Sequence, residues 1–372
     1  MSNPSLSSPH ALPPAAPAPT PPGLIGCYKA TRDLAGADLL TFASLTPGVV
    51  RDLFAVAGRL KQEFRDARAS RGLPIPGDAG GVGHATSIME LKPLAGTTAV
   101  LLFEKPSLRT KMSFEAGISM LGGSSIFMDH SQQKLGEREA VKDYALNLER
   151  WVSCIIARVY SQEVLYELAQ HASVPVINAL SDRFHPCQAL ADLFTLSERA
   201  AALGVPLTQM KLAYVGDGNN VCHSLMHAAT MLGVHTTVIS PTGYEPAPDV
   251  IAECQTLCQA SGATLTITDD LAQVKGHHAV YTDVWVSMGQ ADTAAKRRKV
   301  FADYQVNAVL MALASKGLNM PEGSYFMHCL PAQRGVEVTD EVIDSKASLV
   351  YEQAENRMHA QDALLVAMLG RA

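Results

Sequence analysis

Apolar positions along this chain follow two periods in turn. Short runs rich in Val, Ile, Leu and Thr read as buried strands. Each is followed by a stretch with apolar residues three and four apart, the spacing of one helix face. Thr97–Phe103 precedes a helix opening near Ser107, and Ser124–Met128 precedes Arg138–Val152. Cys154–Tyr160 precedes Ser161–Ala172, and Val174–Asn178 precedes a helix beginning near Pro186. A second series runs Lys211–Gly216, Thr236–Ser240, Thr264–Thr268, His278–Val284 and Tyr325–Leu330, again with helical stretches between. The rhythm predicts two open α/β domains, each a parallel sheet with helices on both faces, joined by helices and meeting at a cleft. We divide the chain into a Pro/Ala-rich disordered tail (1–24), a first domain (25–184) and a second (185–351). The last helical stretch, 352–372, packs back on the first.

Length supports two cores rather than one, since 372 residues exceed one ordinary domain. A composition 47% apolar and 18% charged suits a globular protein, and a net charge of -6 argues against a nucleic-acid backbone as partner. No apolar run is long enough to span a bilayer. The tail lacks the apolar core of a secretory signal and the Arg content of a transit peptide. Seven scattered Cys suit reduced thiols in a cytosol. Cys254 and Cys258 read as packing residues.

In open parallel sheets, ligands bind beyond the carboxyl ends of strands. The polar clusters of this sequence fall there: Ser107–Thr110, Arg158, His185–Gln188, Asn219–Asn220, Asp283–Met288 and Cys329. Pro106 fits the first turn of a helix, whose free N–H groups and partial positive charge attract anions. Arg109 adds a two-pronged donor suited to phosphate or carboxylate. His185 and Gln188, three apart across a helix start, suit a small polarised carbonyl. Asp283 suits a cationic amine, with Ser287 in the same loop, and Asn219 and Asn220 suit an amino-acid head group. Trp285 reads as a packing anchor. Cys329 ends a strand without the usual His partner, so an orienting role is preferred to covalent catalysis. His328 should point to the opposite strand face. Arg357 of the last helix is a second anion donor.

Taken together, the S-x-R-T, H-P-x-Q, D-V-W-V-S-M-G-Q, H-C-L-P and E-N-R motifs resemble the ornithine branch of the aspartate/ornithine carbamoyltransferase superfamily. The resemblance runs from about Asp38 to the C-terminus. It implies that Ser107, Leu108, Arg109 and Thr110 hold the phosphate of carbamoyl phosphate, with Arg158 and Arg357. It implies that Thr110, Arg158, His185 and Gln188 engage the carbamoyl end, whose NH2 meets the Cys329–Leu330 backbone. L-Ornithine would bind through Asn220, Asp283, Ser287 and Met288, with Asp283 and Cys329 orienting its amine. Arg109, Arg158, His185, Asp283 and Cys329 would carry the catalysis, without metal or redox cofactor. Domain closure and ordering of the Ser287–Gln290 loop are also implied. Two departures stand out. Leu108 occupies a common Thr position, and Lys134 occupies a Gln or His position in a loop that, in the family, reaches the neighbouring subunit. The implied assembly is a homotrimer or a multiple of one, in the cytoplasm. Other readings are transfer to another amine, such as putrescine or acetylornithine, or an inactive anion-binding regulatory relative.

Overall fold

The computed structural model describes residues 33–72, 87–286 and 294–370. The expected disordered tail lies outside them. Two sheets organise the chain. The first holds β1 (Thr98–Phe103), β2 (Ser124–Asp129), β3 (Cys154–Arg158) and β4 (Val176–Leu180), in the order β2-β1-β3-β4. The second holds β5 (Lys211–Val215), β6 (His235–Ile239), β7 (Leu265–Thr268), β8 (Ala279–Thr282) and β9 (Tyr325–His328), in the order β7-β6-β5-β8-β9. Every pairing between these strands is parallel, as the alternating pattern predicts.

Helices wrap both sheets. In the first half they are α1 (Pro47–Ser70), α2 (Ile88–Leu91), α3 (Leu108–Met120), α4 (Val141–Leu148) and α5 (Gln162–His171). Then come α6 (Pro186–Ala202), α7 (Asn220–Met231), α8 (Pro248–Ser261), α9 (Ala294–Val300), α10 (Ala308–Ala314), α11 (Asp340–Ile343) and α12 (Val350–Leu369). No helix among the described residues is long and apolar enough to cross a membrane.

Strand order decides where a cleft opens. Each sheet reverses its order once, between β1 and β3 in the first and between β5 and β8 in the second. Connections at such a point leave on opposite faces and open a crevice beyond the strand ends. Phe103 pairs with Arg158 across β1 and β3, so the Lys105–Thr110 turn and the Arg158 side chain emerge side by side. Tyr214 pairs with Tyr281 across β5 and β8, which brings the Gly216–Asn220 turn next to Asp283. Gly218 makes that turn possible: a Cβ there would lie 2.2 Å from the Pro246 nitrogen.

One apolar core runs through both lobes. It includes Leu101 and Ile156 of the first sheet, Leu212 and Tyr214 of the second, Leu190 and Leu193 of α6, and Leu364 of α12. Burying each such side chain contributes about 1.5–3 kcal/mol. α12 packs against α1, α3, α6 and β9, so it touches both lobes. It is not a simple amphipathic helix, because Gln353, Asn356, Arg357, His359, Gln361 and Asp362 are all buried.

Local details differ from expectation. Pro106 lies outside α3; Ser107 is the N-cap, extended at φ -158° and ψ 114°, and its hydroxyl accepts the Thr110 N–H. A capping hydroxyl defines this helix start better than the proline does. α10 was not anticipated, although Asn307 caps it by accepting the Leu310 N–H. Neither was α2, a single turn capped by Ser87.

Candidate active site

A cavity of about 430 Å³ lies where the two sheets' switch points face each other. From the first lobe it is lined by Lys105, Ser107, Leu108, Arg109, Thr110 and Arg158. His185, Gln188 and Arg357 come from the helices between the lobes, and Asn220, Asp283, Cys329 and Leu330 from the second. The structure therefore brings together in one cleft most of the residues read from the sequence. The Leu108 side chain is 72% exposed, so its backbone N–H at the α3 start is what it offers an anion.

Three guanidinium groups converge here. Arg158 is buried, and its Nε has no hydrogen-bond partner. Arg357 is buried too; its Nη1 donates to Gln188 Oε1 at 2.5 Å and its Nη2 to Thr110 Oγ1 at 3.1 Å. Among the described residues, no carboxylate forms an ion pair with Arg109, Arg158 or Arg357. Burial, and then the neighbouring Arg357, pushes Arg158 down to about 10. Burial lowers Arg109 and Arg357 as well. Crowded, desolvated cations without a counter-ion favour an incoming anion strongly.

His185 stands at the N-terminus of α6, its backbone N–H donating to Ser224 Oγ at 2.7 Å. Burial, Arg357 and Arg158 hold its imidazole well below the usual range, so it is neutral. Gln188 is oriented from behind: its Nε2 donates to buried Asp192 at 2.7 Å. Burial raises that carboxyl to about 6.

The second lobe supplies acceptors. Asp283 Oδ1 accepts the Cys329 thiol at 3.1 Å and the Val284 N–H at 2.8 Å, while Oδ2 accepts Asn219 Nδ2 at 2.8 Å. Asn219 also caps α7, accepting the Val221 and Cys222 N–H groups. Asn220 lines the cavity and donates to the Ser181 carbonyl at 2.6 Å. Burial, and then the Asp283 charge, pushes the Cys329 thiol far up, which keeps it protonated. A protonated thiol donates and orients; it does not attack. Asp283, His328 and Cys329 place donor atoms within 4.8 Å of one another. The His328 Nδ1 lone pair already accepts the Leu330 N–H at 2.8 Å, and within the three the hydrogen bond runs from the Cys329 thiol to Asp283.

Not every expected residue joins the cleft. Lys134 is exposed and does not line the cavity; its Nζ sits 4.7 Å from the centre of the Tyr160 ring. Ser287 and Met288, with the rest of the loop expected to order on closure, lie outside the described residues. Trp285 is buried and stacks on Phe301 at 5.7 Å, an anchor as expected. Its carbonyl accepts Arg297 Nε at 2.7 Å, while Arg297 also pairs with Asp217. Lys105, Val284, Val286, Pro331 and Gln333 line the cavity unforeseen. Lys105 is pushed down to about 8 by burial and by Arg158, and lies 4.4 Å from the Tyr160 ring centre. Its place beside Ser107 in the sequence was the available signal.

The arrangement can hold a small dianion at one end and a cationic amine at the other, with a neutral imidazole and an amide between them. Comparisons agree with that chemistry. Residues 37–198 match the family model described as aspartate/ornithine carbamoyltransferase, carbamoyl-P binding domain. Residues 208–368 match its Asp/Orn binding domain. An ornithine carbamoyltransferase of Shewanella oneidensis is 50% identical over 275 residues, 74% of this chain and 88% of that protein. One of Anoxybacillus flavithermus is 41% identical over 341 residues, 91% of this chain and 99% of that protein. The solved ornithine carbamoyltransferase of Pyrococcus furiosus superposes with a TM-score of 0.77 at 41% identity, covering 90% of this chain and 98% of that one.

Proposed function

This chain belongs to the aspartate/ornithine carbamoyltransferase family, and we propose that its cleft transfers the carbamoyl group of carbamoyl phosphate to the side-chain amine of L-ornithine. The products are L-citrulline and phosphate, in arginine metabolism. The observation that carries the assignment of roles is the convergence of Arg109, Arg158 and Arg357 on one cavity, with no carboxylate partner among the described residues, opposite Asp283.

The phosphate takes the α3 N-terminus and the guanidinium groups of Arg109, Arg158 and Arg357. Thr110, Arg158 and neutral His185 donate to the carbamoyl oxygen, and Gln188 flanks the group. The carbamoyl NH2 meets the Cys329–Leu330 backbone. Ornithine binds by Asn220, Asp283, Ser287 and Met288, and Asp283 with Cys329 aims its side-chain amine. The neutral amine forms the new N–C bond with its lone pair; the C–O bond to phosphate breaks, and its electrons leave with the phosphate. The nitrogen then gives up a proton to phosphate or solvent. Donors placed where oxygen charge develops supply about 10²–10³ in rate each. Holding both reactants in line supplies much of the rest.

Residues 25–184 form the carbamoyl-phosphate-binding domain with 352–372 returned onto it, and 185–351 form the ornithine-binding domain. The enzyme is cytoplasmic and assembles as a homotrimer or a multiple of one. Citrulline formation measured with ornithine, putrescine and acetylornithine tests the reading. Ornithine should show the highest kcat/KM; clear preference for another amine, or no product, would overturn it.

A further inference from the structure

Two side-chain amides meet one carboxylate oxygen behind the cleft. Asp192 lies one turn beyond Gln188 on α6, is 0% exposed and does not line the cavity. Its Oδ1 accepts Gln188 Nε2 at 2.7 Å and Gln353 Nε2, from the start of α12, at 2.9 Å. Each amide uses its oxygen on the far side. Gln188 Oε1 accepts Arg357 Nη1 at 2.5 Å, and Gln353 Oε1 accepts the buried His328 N–H at 3.0 Å. His328 ends β9, and Cys329, which follows it, lines the cavity. Asp192 Oδ2 and the nearby Tyr281 hydroxyl have no partner at full hydrogen-bond geometry, so Oδ1 carries both amides.

Polarity leaves one arrangement for this chain of groups. Asp192, with its carboxyl at about 6, is ionised at neutral pH and only accepts. Guanidinium and backbone N–H groups only donate. Each amide must therefore turn its NH2 to Asp192 and its oxygen away. For Gln188 this sets the oxygen beside Arg357 at the cavity, with a second lone pair left for a ligand. For Gln353 it pins the end of β9, whose buried N–H would otherwise be orphaned. Without Asp192 the Gln188 NH2 loses its acceptor and can turn into the cavity, and Gln353 loses its hold under β9. The phosphate end keeps its own support, because Arg357 stays tied to Gln361 Oε1 and Thr110 Oγ1.

We propose that Asp192 is a positioning residue that holds Gln188 against the carbamoyl group and, through Gln353, holds the β9 end that carries Cys329. It thereby governs the reacting centre and not the grip on phosphate. This inference rests on the carbamoyl-transfer reading.

Carbamoyl phosphate and inorganic phosphate are the probes. Their dissociation constants are measured by calorimetry, and kcat for citrulline is counted per site found in the titration, for the wild-type enzyme and for Asp192→Leu, Asp192→Asn and Gln353→Leu. Asp192→Leu removes the shared acceptor and should raise the carbamoyl phosphate constant about tenfold, the scale of one hydrogen bond, with that of phosphate changed less than about twofold. Asp192→Asn keeps an oxygen in the place of Oδ1 and should restore most of the discrimination. Gln353→Leu leaves Gln188 held, so the ratio of the two constants should stay within about twofold. Its kcat should fall about tenfold, because Cys329 and the amine it aims are displaced. Equal weakening of both ligands by Asp192→Leu, an unchanged ratio, no recovery in the Asn variant, or a wild-type kcat in Gln353→Leu overturns the proposal. If Asp192→Leu does not fold, Gln353→Leu decides: a lowered kcat at an unchanged ratio supports the proposal, and a wild-type kcat overturns it. A wild-type enzyme that makes no citrulline overturns the carbamoyl-transfer reading and this inference together. Wild-type activity with any of the contrary outcomes above overturns this inference alone.

Discussion

The first lobe and the neighbouring helices bring the cleft three guanidinium groups and the N-terminus of α3; the second lobe brings a carboxylate and a thiol. The difference extends to how each side is held. On the first side the cations are desolvated and crowded, and Arg357 is tied to neutral oxygens of Gln188 and Thr110. On the second side Asp283 accepts hydrogen bonds on both oxygens and shares the cleft with a thiol kept protonated. Among the described residues, the arginines of one side have no carboxylate partner, and the other side can hold a cation. Two reactants of opposite charge are therefore sorted by electrostatics before any chemistry occurs, each with its own half of the cleft.

Substitutions that damage one half alone test this division. The largest effect is expected from Arg158→Ala, which should lower kcat/KM for carbamoyl phosphate by about 10²–10³. Arg109→Ala should sharply weaken carbamoyl phosphate binding by calorimetry with the fold intact. An equal loss of ornithine affinity would break the comparison.

Asp283→Asn should raise the ornithine KM by about ten- to a hundredfold, the scale of a lost charge-assisted contact, while carbamoyl phosphate KM stays within about twofold. The same substitution removes the charge that, after burial, holds the Cys329 thiol up. Cys329 alkylation followed against pH should then begin at lower pH than in the wild type.

Gly117→Ala sharpens the comparison through packing. A Cβ at Gly117 would lie 1.8 Å from Asp362 Oδ1, so the buried Asp362 carboxyl between α3 and α12 must shift. Overpacking of this kind costs about 1–3 kcal/mol, read as a lower Tm. Because α3 and α12 carry Arg109 and Arg357, carbamoyl phosphate binding should suffer more than ornithine binding.

The smallest effect concerns His223, whose Nδ1 donates to the Arg183 carbonyl and whose Nε2 accepts the Ala247 N–H. Burial pushes this imidazole from 6.5 down to about 4. Between those values the unfolded chain binds more protons than the native one, so stability is full above pH 6.5 and falls as pH drops towards 4. Thermal unfolding followed across that window should show His223→Gln losing less stability than the wild type, by at most about 3 kcal/mol.

Legibility in the sequence followed the same physics. Buried runs such as Val100–Phe103 and Cys154–Arg158 announced parallel strands, because both faces of such strands are covered. The carboxyl ends of the expected strands then marked Ser107, Arg158, Asn220 and Asp283 as candidates, and the strand order that sets them side by side came from the structure. What escaped was set by tertiary context. Lys105 follows a strand end and looks like an ordinary surface charge, yet it is buried beside Arg158. Pro106 competed with Ser107 for the helix start, and the capping hydroxyl prevailed. In α12 the many buried polar residues obscure a periodic apolar face, since their partners lie on α3, α6 and β9.

The central claim is that both halves act on one shared crevice. A crystal structure with a phosphonoacetyl derivative of ornithine tests it most directly. The account predicts the phosphonate on Arg109, Arg158 and Arg357, with the amino-acid end against Asn220 and Asp283. A ligand bound by one lobe only, or with the phosphonate away from these arginines, would contradict it.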